Sequence, residues 1–357
     1  MNQQQQRGGK LLGQGLYGCA FSPPLICKKN IKTKGIVGKI TSIDDASTEY
    51  SVSMLLKENP YAEEYFIIME DICSPKPRAN QKEKDISSCK PLDNVRLPDV
   101  RQIIMPFGGK PLGQITNTIN PQNFYMIGQH LLEAGTLLLL SGIVHSDLHA
   151  LNVLVSDNKP KLIDFGLAWM PGRLTLSNVY LLERVFAPHI TQQTPECTVM
   201  SGLQEDYKYS HIIASIADNK TVLTLIYKLT GRTIESQLQE LEKFMRSSIC
   251  FRERDWYSFY KIYWSKIDSW AFGCLLLTSF VNMLYNSPNE QQEQGNTTTM
   301  TCILGLCSMD PGKRLDAAEA LEIFAPDSKI LKLPNVQAWL KEKTALRKDL
   351  IQKIGVQ

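Results

Sequence analysis

The stretch HSDLHALNVLV (145–155) brings histidines, an aspartate and an asparagine together just before an apolar run. At pH 7 Asp147 is an ionised acceptor that can take or orient a hydroxyl proton, and Asn152 offers an amide oxygen to a magnesium ion. Further on, LIDFG (162–166) places Asp164 at the end of an apolar strand, where its carboxylate is a second oxygen ligand for magnesium. Oxygen ligands for a hard cation, together with a proton acceptor, are what phosphoryl transfer requires.

A zinc site is the alternative interpretation of HSDLH (145–149). Zinc proteases place two histidines on one helix with a glutamate between them. Here the motif precedes a strand-like segment, and no third soft ligand lies nearby. We therefore reject zinc and expect His145 to be a buried, hydrogen-bonded structural residue.

Three glycines with GxGxxG spacing, Gly13, Gly15 and Gly18, lie in LLGQGLYGCAF (11–21). This spacing lets backbone N–H groups approach a phosphate, but a glycine-rich hairpin is an equally good interpretation of the motif by itself. A dinucleotide-binding fold needs a helix directly after the motif. The prolines of AFSPPLICKKN (20–30) exclude that helix.

Lys39 lies inside the apolar strand GIVGKI (35–40), where a lysine needs an anionic partner or a route to water. An ordinary edge-strand lysine is the alternative. The helical window ASTEYSVSMLLK (46–57) contains one acid, Glu49. We expect Glu49 to pair with Lys39 and to orient it toward the α- and β-phosphates of a nucleotide.

Composition and charge exclude several classes of protein. The chain has 357 residues, 43% hydrophobic and 21% charged, which is ordinary for a globular protein of one large or two modest domains. A net charge of +3 is too small to indicate nucleic acid or anionic membrane. The longest apolar stretches, 131–144 and 270–281, are shorter than the ~20 residues that span a bilayer. Nine scattered cysteines and an N-terminus without an apolar stretch predict a reducing, intracellular, cytoplasmic location.

Strand patterns come before helix patterns along the chain, which predicts an α+β protein with two domains and a cleft between them. PFGGKPLG (106–113) is the expected hinge. A polar, proline-punctuated segment is expected to be a surface insertion between the strands EYFIIME (64–70) and VRQIIMP (100–106). The expected parts are a disordered N-terminus (1–9), a small β-rich domain (10–106) with its surface insertion (74–98), a larger helical domain (107–325) and a tail of one or two exposed amphipathic helices (326–357).

The order of glycine loop, lysine, glutamate, HxDLxxxN and DFG resembles the protein kinase superfamily over residues 11–325. KIDSWAFGCLLL (266–277) is similar to the central buried helix of the larger kinase lobe, with Asp268 where the kinase residue braces the catalytic-loop backbone. MDPGKRLDAAEAL (309–321) is similar to the kinase segment whose arginine, here Arg314, pairs with the glutamate that closes the activation segment.

Two segments compete to supply that glutamate. FAPHI (186–190) lies nearer the usual distance from DFG but carries His189 where the acid belongs, whereas QQTPE (192–196) ends in Glu196. Because an unpaired buried guanidinium costs several kcal/mol, we choose Glu196.

The resemblance implies a two-lobed, kinase-like fold and the cofactors ATP and Mg²⁺. It assigns the catalytic roles to Asp147, Lys39, Asn152 and Asp164, with magnesium on Asn152 and Asp164. The nucleotide-binding residues that it implies are Gly13, Gly15, Gly18, Lys39 and Glu49 around the phosphates, and Met105, Phe107 and Gly108 near the adenine, since Pro106 has no N–H to offer.

Departures from the kinase pattern leave alternatives open. Ser146 replaces the usual arginine. We therefore do not expect activity to be controlled by an arginine that binds a phosphorylated activation loop. His149 stands where serine/threonine kinases carry lysine, and the form H-x-D-L-H-x-x-N is frequent in choline and aminoglycoside kinases. The segments DFGLA, KIDSWAFG and DPGKR instead resemble protein kinases. The expected function is therefore a serine/threonine protein kinase acting on protein substrates, with a small-molecule phosphotransferase or a kinase-fold scaffold as alternatives.

GLYGCAFSPPLIC (15–27) and IIMPFGGKPL (103–112) are similar to the divergent protein kinases of large DNA viruses, some of which are packaged in virions. A viral chain would therefore also be expected in the virion. A helical insertion is expected over about 198–265, with an inserted helix at 221–245. The aromatic run FRERDWYSFYKIYW (251–264) is expected to pack this insertion onto the larger lobe, with a docking surface for a protein partner as the alternative.

Overall fold

The computed structural model divides the chain into two compact units. The first contains 1–110, 154–156 and 161–168, and the second contains 111–153, 157–160 and 169–357. The step from Lys110 to Pro111 falls inside the expected hinge 106–113. The expected disordered N-terminus lies outside the described residues, apart from Gly9. The structure describes residues 9–15, 18–31, 34–81, 86–93, 95–287 and 293–343, with only the backbone for 293–296.

The first unit is built on a five-stranded antiparallel sheet in the order β1-β2-β3-β5-β4. Its strands are β1 (Lys10–Gln14), β2 (Cys19–Ser22), β3 (Ile36–Thr41), β4 (Asp71–Cys73) and β5 (Arg101–Pro106). Helix α1 (Ile43–Leu56) follows β3 directly, and the short α2 (Ala62–Tyr65) follows α1. Ser42 begins α1 because its side chain accepts a hydrogen bond from the Asp45 N–H.

The prediction of a strand at EYFIIME (64–70) is wrong. The chain forms α2 and a single bridge at Phe66, and β4 begins only at Asp71. Glu63 and Glu64 lie in the first turn of α2, where acidic side chains favour a helix start. The buried residues 65–69 then lack the alternation that fixes a strand with one exposed face.

Among its described residues, the expected surface insertion 74–98 has exposed positions, such as 77–80, but also buries apolar side chains in the core. Its apolar side chains Ile86, Leu92 and Leu97 are buried in one cluster with Phe21 and Ile40 of the sheet. Short 3₁₀ turns separate these apolar positions, so their spacing matches neither a helix nor a strand pattern. A polar composition therefore concealed a packed segment.

Disulfide bonds join distant parts of the first unit, Cys19 to Cys89 and Cys27 to Cys73. The scattered cysteines gave no indication of these pairs, and the intracellular location stays a prediction. The remaining cysteines are free and buried; they are Cys197, Cys250, Cys274, Cys302 and Cys307.

The second unit is mainly helical. Its helices are α3 (Pro121–Leu140), α4 (Pro195–Gln204), α5 (Tyr209–Asn219), α6 (Thr221–Thr230), α7 (Ile234–Ser247), α8 (Ile249–Arg252), α9 (Trp256–Asn286), α10 (Glu293–Leu306), α11 (Ala317–Phe324) and α12 (334–343). A further, three-stranded sheet in the order β6-β7-β8 consists of β6 (Lys110–Pro111), β7 (Val153–Ser156) and β8 (Lys159–Leu162), of which residues 110, 154–156 and 161–162 are grouped with the first unit.

The helical insertion differs in detail from the expectation. The single helix expected at 221–245 is two helices, because Gly231 adopts a left-handed conformation (φ 75°) that ends α6, and Thr233 caps α7. The boundary expected near 265 falls inside α9, which begins at Trp256 and has 31 residues. The aromatic run contacts both the insertion and the rest of the second unit. Phe251 lies edge-on against Phe244 of α7, and Tyr260 lies edge-on against Trp169, outside the insertion.

Among the described residues, α9 alone is long and apolar enough to cross a membrane. In this structure 67% of its apolar window is buried. The described part of the tail, 326–343, is less exposed than expected, since Val336 and Leu340 of α12 are buried. The indole N–H of Trp339 donates to Asp316 Oδ2 at 3.1 Å, which fixes α12 to the start of α11.

Candidate active site

The residues expected to act together fall into two groups, one in each unit. Lys39, Glu49 and Asp164 belong to the first unit, and Asp147 and Asn152 belong to the second.

In the first unit, the amino group of Lys39 binds two carboxylates. Lys39 projects from β3, and its Nζ donates to Glu49 Oε1 on α1 and to Asp164 Oδ1 at 2.5 Å. Glu49 is 4% exposed, so α1 carries its single buried acid to the lysine. The expected ion pair is therefore formed, and Asp164 joins it from 125 residues away along the chain.

Burial and mutual charge shift the pKa values of Lys39 and Glu49. Burial alone would lower the pKa of Lys39, but the charges of Glu49 and Asp164 outweigh it and raise that pKa. Burial also raises the pKa of Glu49 to about 7, although Lys39 acts in the opposite direction. One cation thus serves two carboxylates.

Asp164 follows β8 in an unusual backbone conformation, with φ 67°. A positive φ is uncommon outside glycine, and aspartate is one of the side chains that tolerate it best. The next residue, Phe165, is buried edge-on against Phe66. The packed ring anchors the chain while the aspartate turns out of the strand direction, and such strained positions cluster at functional sites.

The glycine motif forms the turn between β1 and β2. Gly15 N–H donates to Gly18 O at 2.9 Å. A side chain at Gly18 would lie 1.9 Å from Ile40 O, so close packing on β3 requires glycine there, whereas Gly13 and Gly15 have open space around them. The hairpin is compatible with both interpretations of the motif, and residues 16 and 17 lie outside the described part.

The residues expected near the adenine lie at the C-terminal end of β5 and directly after it. Met105 pairs with Val37 in the sheet. The N–H of Phe107 donates to Gly35 O at 3.1 Å, so this group is already used within the first unit. A Cβ at Gly108 would meet Leu154 at 2.7 Å, which explains a glycine at that position.

In the second unit, Asp268 of α9 holds the backbone of the HSDLH loop. Its carboxylate accepts the N–H groups of His145 at 2.6 Å and Ser146 at 2.9 Å. Asp268 braces the loop as expected. His145 is fully buried, and its Nδ1 accepts the Asp147 N–H at 3.4 Å, in keeping with a structural role.

Asp147 is held by the residues that follow it. Asn152 Nδ2 donates to the Asp147 backbone oxygen at 2.9 Å and to its Oδ2 at 3.2 Å. The amide geometry directs the Asn152 Oδ1 away from Asp147, as an oxygen ligand for a cation requires. His149 Nδ1 accepts the Leu151 N–H at 3.2 Å, so the neutral ring carries its hydrogen on Nε2, which lies 3.7 Å from Asp147 Oδ2.

The choice of Glu196 over His189 agrees with the structure. Arg314 binds Glu196 through two parallel hydrogen bonds of 2.8 and 2.9 Å, and both side chains are fully buried. Thr194 caps α4 immediately before Pro195, which places Glu196 in the first turn of that helix.

Two residues that hold neighbouring parts of the candidate site in place were not predicted from the sequence. The indole N–H of Trp169 donates to Ser146 Oγ at 2.7 Å. Lys220 is buried without a carboxylate contact within the described residues, and its Nζ donates to Ile190 O at 3.0 Å and Gln193 O at 2.8 Å. Burial lowers the pKa of Lys220 to about 8. A lysine before the apolar run TVLTLIY (221–227) was the available signal.

Over the described ranges, no three His, Cys, Asp or Glu side chains form a metal-binding group. Magnesium places a smaller demand on the protein, because it usually takes one or two side-chain oxygens and completes its shell with water and phosphate. Asn152 and Asp164 carry oxygen donors of that kind.

No protein-family model matches the chain, and no curated protein matches it significantly.

Proposed function

We propose that the chain is an ATP- and Mg²⁺-dependent protein kinase that transfers the γ-phosphate to serine and threonine hydroxyls of proteins. The main support is the double contact of Lys39 with Glu49 and Asp164. The sequence pattern assigned these residues to the nucleotide and its metal. A lysine held by a buried acid is a fixed cation for phosphate oxygens, which suits a reaction that depends on electrostatic positioning.

Asp147 would accept the proton of the acceptor hydroxyl. Asn152 supports that role because its amide bonds both the backbone and the carboxylate of Asp147 and so fixes the direction of the side chain. Asn152 Oδ1 and Asp164 would hold magnesium, which supplies charge neutralisation at the phosphates when bound. Asp268 acts through the loop backbone as a positioning residue.

The decisive experiment measures phosphate transfer from labelled ATP with magnesium to casein-like and histone substrates. Asp147→Asn should reduce transfer roughly a hundred- to ten-thousand-fold while leaving ATP binding nearly unchanged. Asp218→Asn, the same change at an exposed site on α5, is the matched control and should retain full activity. Undiminished transfer in Asp147→Asn would exclude the role given to this residue.

A small-molecule phosphotransferase is the second candidate, favoured by His149. Its Nε2–H faces the Asp147 carboxylate in place of the lysine usual in serine/threonine kinases. This candidate predicts ATP turnover stimulated by an amino alcohol, a sugar or an aminoglycoside, with no phosphoprotein product. Magnesium-dependent ATP binding without transfer to any acceptor would instead favour a kinase-fold scaffold.

A further inference from the structure

A pocket in the second unit lies beside the HSDLH loop and takes no part in the proposed reaction. Its volume is about 70 Å³. Ser146 contributes to its wall, and Asp268 lies beneath that residue. Glu183, which is exposed, marks the side open to solvent.

Aromatic rings form one part of the pocket wall. Trp169, Trp256 and Tyr260 line it, and the rings of Trp169 and Tyr260 meet edge to face at 5.5 Å. The indole N–H of Trp169 is bonded to Ser146 Oγ, so this ring is held in place. Fixed aromatic faces favour a planar guest.

Glutamine amides form another part. Gln192, Gln193 and Gln204 all line the pocket. An amide presents a donor and an acceptor side by side, which matches the edge of a ring carrying both N–H and C=O groups.

The charged lining residues are Glu183, Arg184 and Asp268. The Asp268 carboxylate is occupied by the N–H groups of His145 and Ser146, and the excess of negative charge disfavours an anion.

Gln193 also has an unmet hydrogen-bonding capacity. Its Oε1 is buried and has no partner among the described residues. Its Nε2 makes only a long contact of 3.5 Å to Ser201 Oγ. The final torsion of a glutamine side chain is broad, so the amide can turn toward a guest at little cost. Lys220 fixes the backbone behind it through the 2.8 Å bond to Gln193 O.

We propose that this pocket binds an uncharged, single-ring nitrogen heterocycle with an amide-like edge, of the pyrimidine or pyridone kind. The pocket has about half the roughly 150 Å³ of an apolar cavity that encloses benzene, so it takes the leading edge of one ring while the rest of the ring stays at the open side, and a fused ring system is too large. Trp169, Trp256 and Tyr260 line the sides of the pocket, and the glutamines bind the edge of the guest. The inference does not depend on the proposed function, because binding is measured without transfer.

The experiment titrates the full chain with uracil and 2-pyridone by ligand-observed NMR, with benzene and benzoate as the apolar and anionic comparisons. A ligand of this size should bind with a dissociation constant of about a millimolar. Gln193→Leu should weaken uracil binding about tenfold, the value of one hydrogen bond. Gln239→Leu, at an exposed position of α7, is the matched control and should bind normally.

Gln204→Trp is a second variant, and because Gln204 is exposed the substitution should not disturb folding. The larger side chain should cover the open side of the pocket and reduce uracil binding. Saturating ATP analogue should leave uracil binding unchanged. The proposal is overturned if benzene binds as well as uracil, if Gln193→Leu and Gln239→Leu behave alike, if Gln204→Trp binds normally, or if the ATP analogue displaces uracil.

Discussion

Two ion pairs, one in each unit, show how differently this chain uses a buried acid. Arg314 meets Glu196 through two parallel bonds, with both side chains out of contact with water. Lys39 instead shares one amino group between Glu49 and Asp164, and the Asp164 side chain is 36% exposed. The first arrangement balances one cation against one anion. The second leaves an excess of negative charge that a further cation can neutralise.

The first pair is therefore suited to holding a segment in place, and the second to taking part in phosphate transfer. A bidentate, fully buried pair is fixed in geometry and charge, which suits the end of a segment that must stay in place. A lysine with two carboxylates, one of which has a pKa of about 7, is a group that can exchange partners. Changes to the first pair should appear mainly in stability, and changes to the second mainly in transfer.

The largest effect is expected from Arg314→Ala. The substitution leaves the Glu196 carboxylate buried without its cation, which should lower the free energy of unfolding by about 3–5 kcal/mol. Urea unfolding followed by circular dichroism measures the loss. In the double variant Arg314→Leu/Glu196→Leu no charge remains, and most of the stability should return. A single variant as stable as the wild type would contradict the anchoring role.

A smaller effect is expected from the protonation of Glu49. Its pKa is raised from 4.5 to about 7, so the folded chain holds the proton more tightly than the unfolded chain. The stabilising contribution is therefore complete below about pH 4.5 and is lost as the pH rises through about 7. Relative to Glu49→Gln, the wild type should lose on the order of 3 kcal/mol over this window. Equal slopes in pH-dependent urea unfolding of the two proteins would refute this.

The smallest effect on stability is expected from Lys39→Met. Without the lysine, Glu49 takes up a proton near neutral pH, and a neutral buried acid is tolerated at a cost of about 1 kcal/mol. Transfer should nevertheless fall at least about a hundredfold, because the cation for the phosphates is lost. Thermal unfolding and labelled-ATP transfer measure the two quantities together. A stability loss as large as that of Arg314→Ala would remove the contrast between the pairs.

The local parts of the candidate site could be predicted from sequence because the residue types restrict their partners. A lysine in an apolar strand had one acid to meet in the helical window 46–57, Glu49, and a buried arginine had Glu196 rather than His189. The bracing role of Asp268 also followed from the motif around it. The two ion pairs follow from the requirement that a buried charge be paired, whereas the role of Asp268 was implied by the resemblance to protein kinases.

Other parts could not be predicted because their signals depend on tertiary contacts. The burial of Ile86, Leu92 and Leu97 could not be predicted because 3₁₀ turns separate these apolar residues, which leaves no periodic pattern. The disulfide partner of Cys19 lies 70 residues away, and spacing does not reveal it. Lys220 bonds backbone oxygens, which every residue possesses, so no side-chain type in the sequence could have named its partners.

The length of α9 has a mechanical consequence. At 1.5 Å per residue, its 31 residues form a rod of about 46 Å with no proline to bend it. Phe259, in the first turn of α9, packs against Phe251 of the insertion, and Asp268, about two and a half turns further along, binds the backbone of the loop that carries Asp147. Both contacts are made by the same unbroken helix. A movement of the insertion is therefore transmitted along α9 to the loop, because no proline kink separates the two contacts.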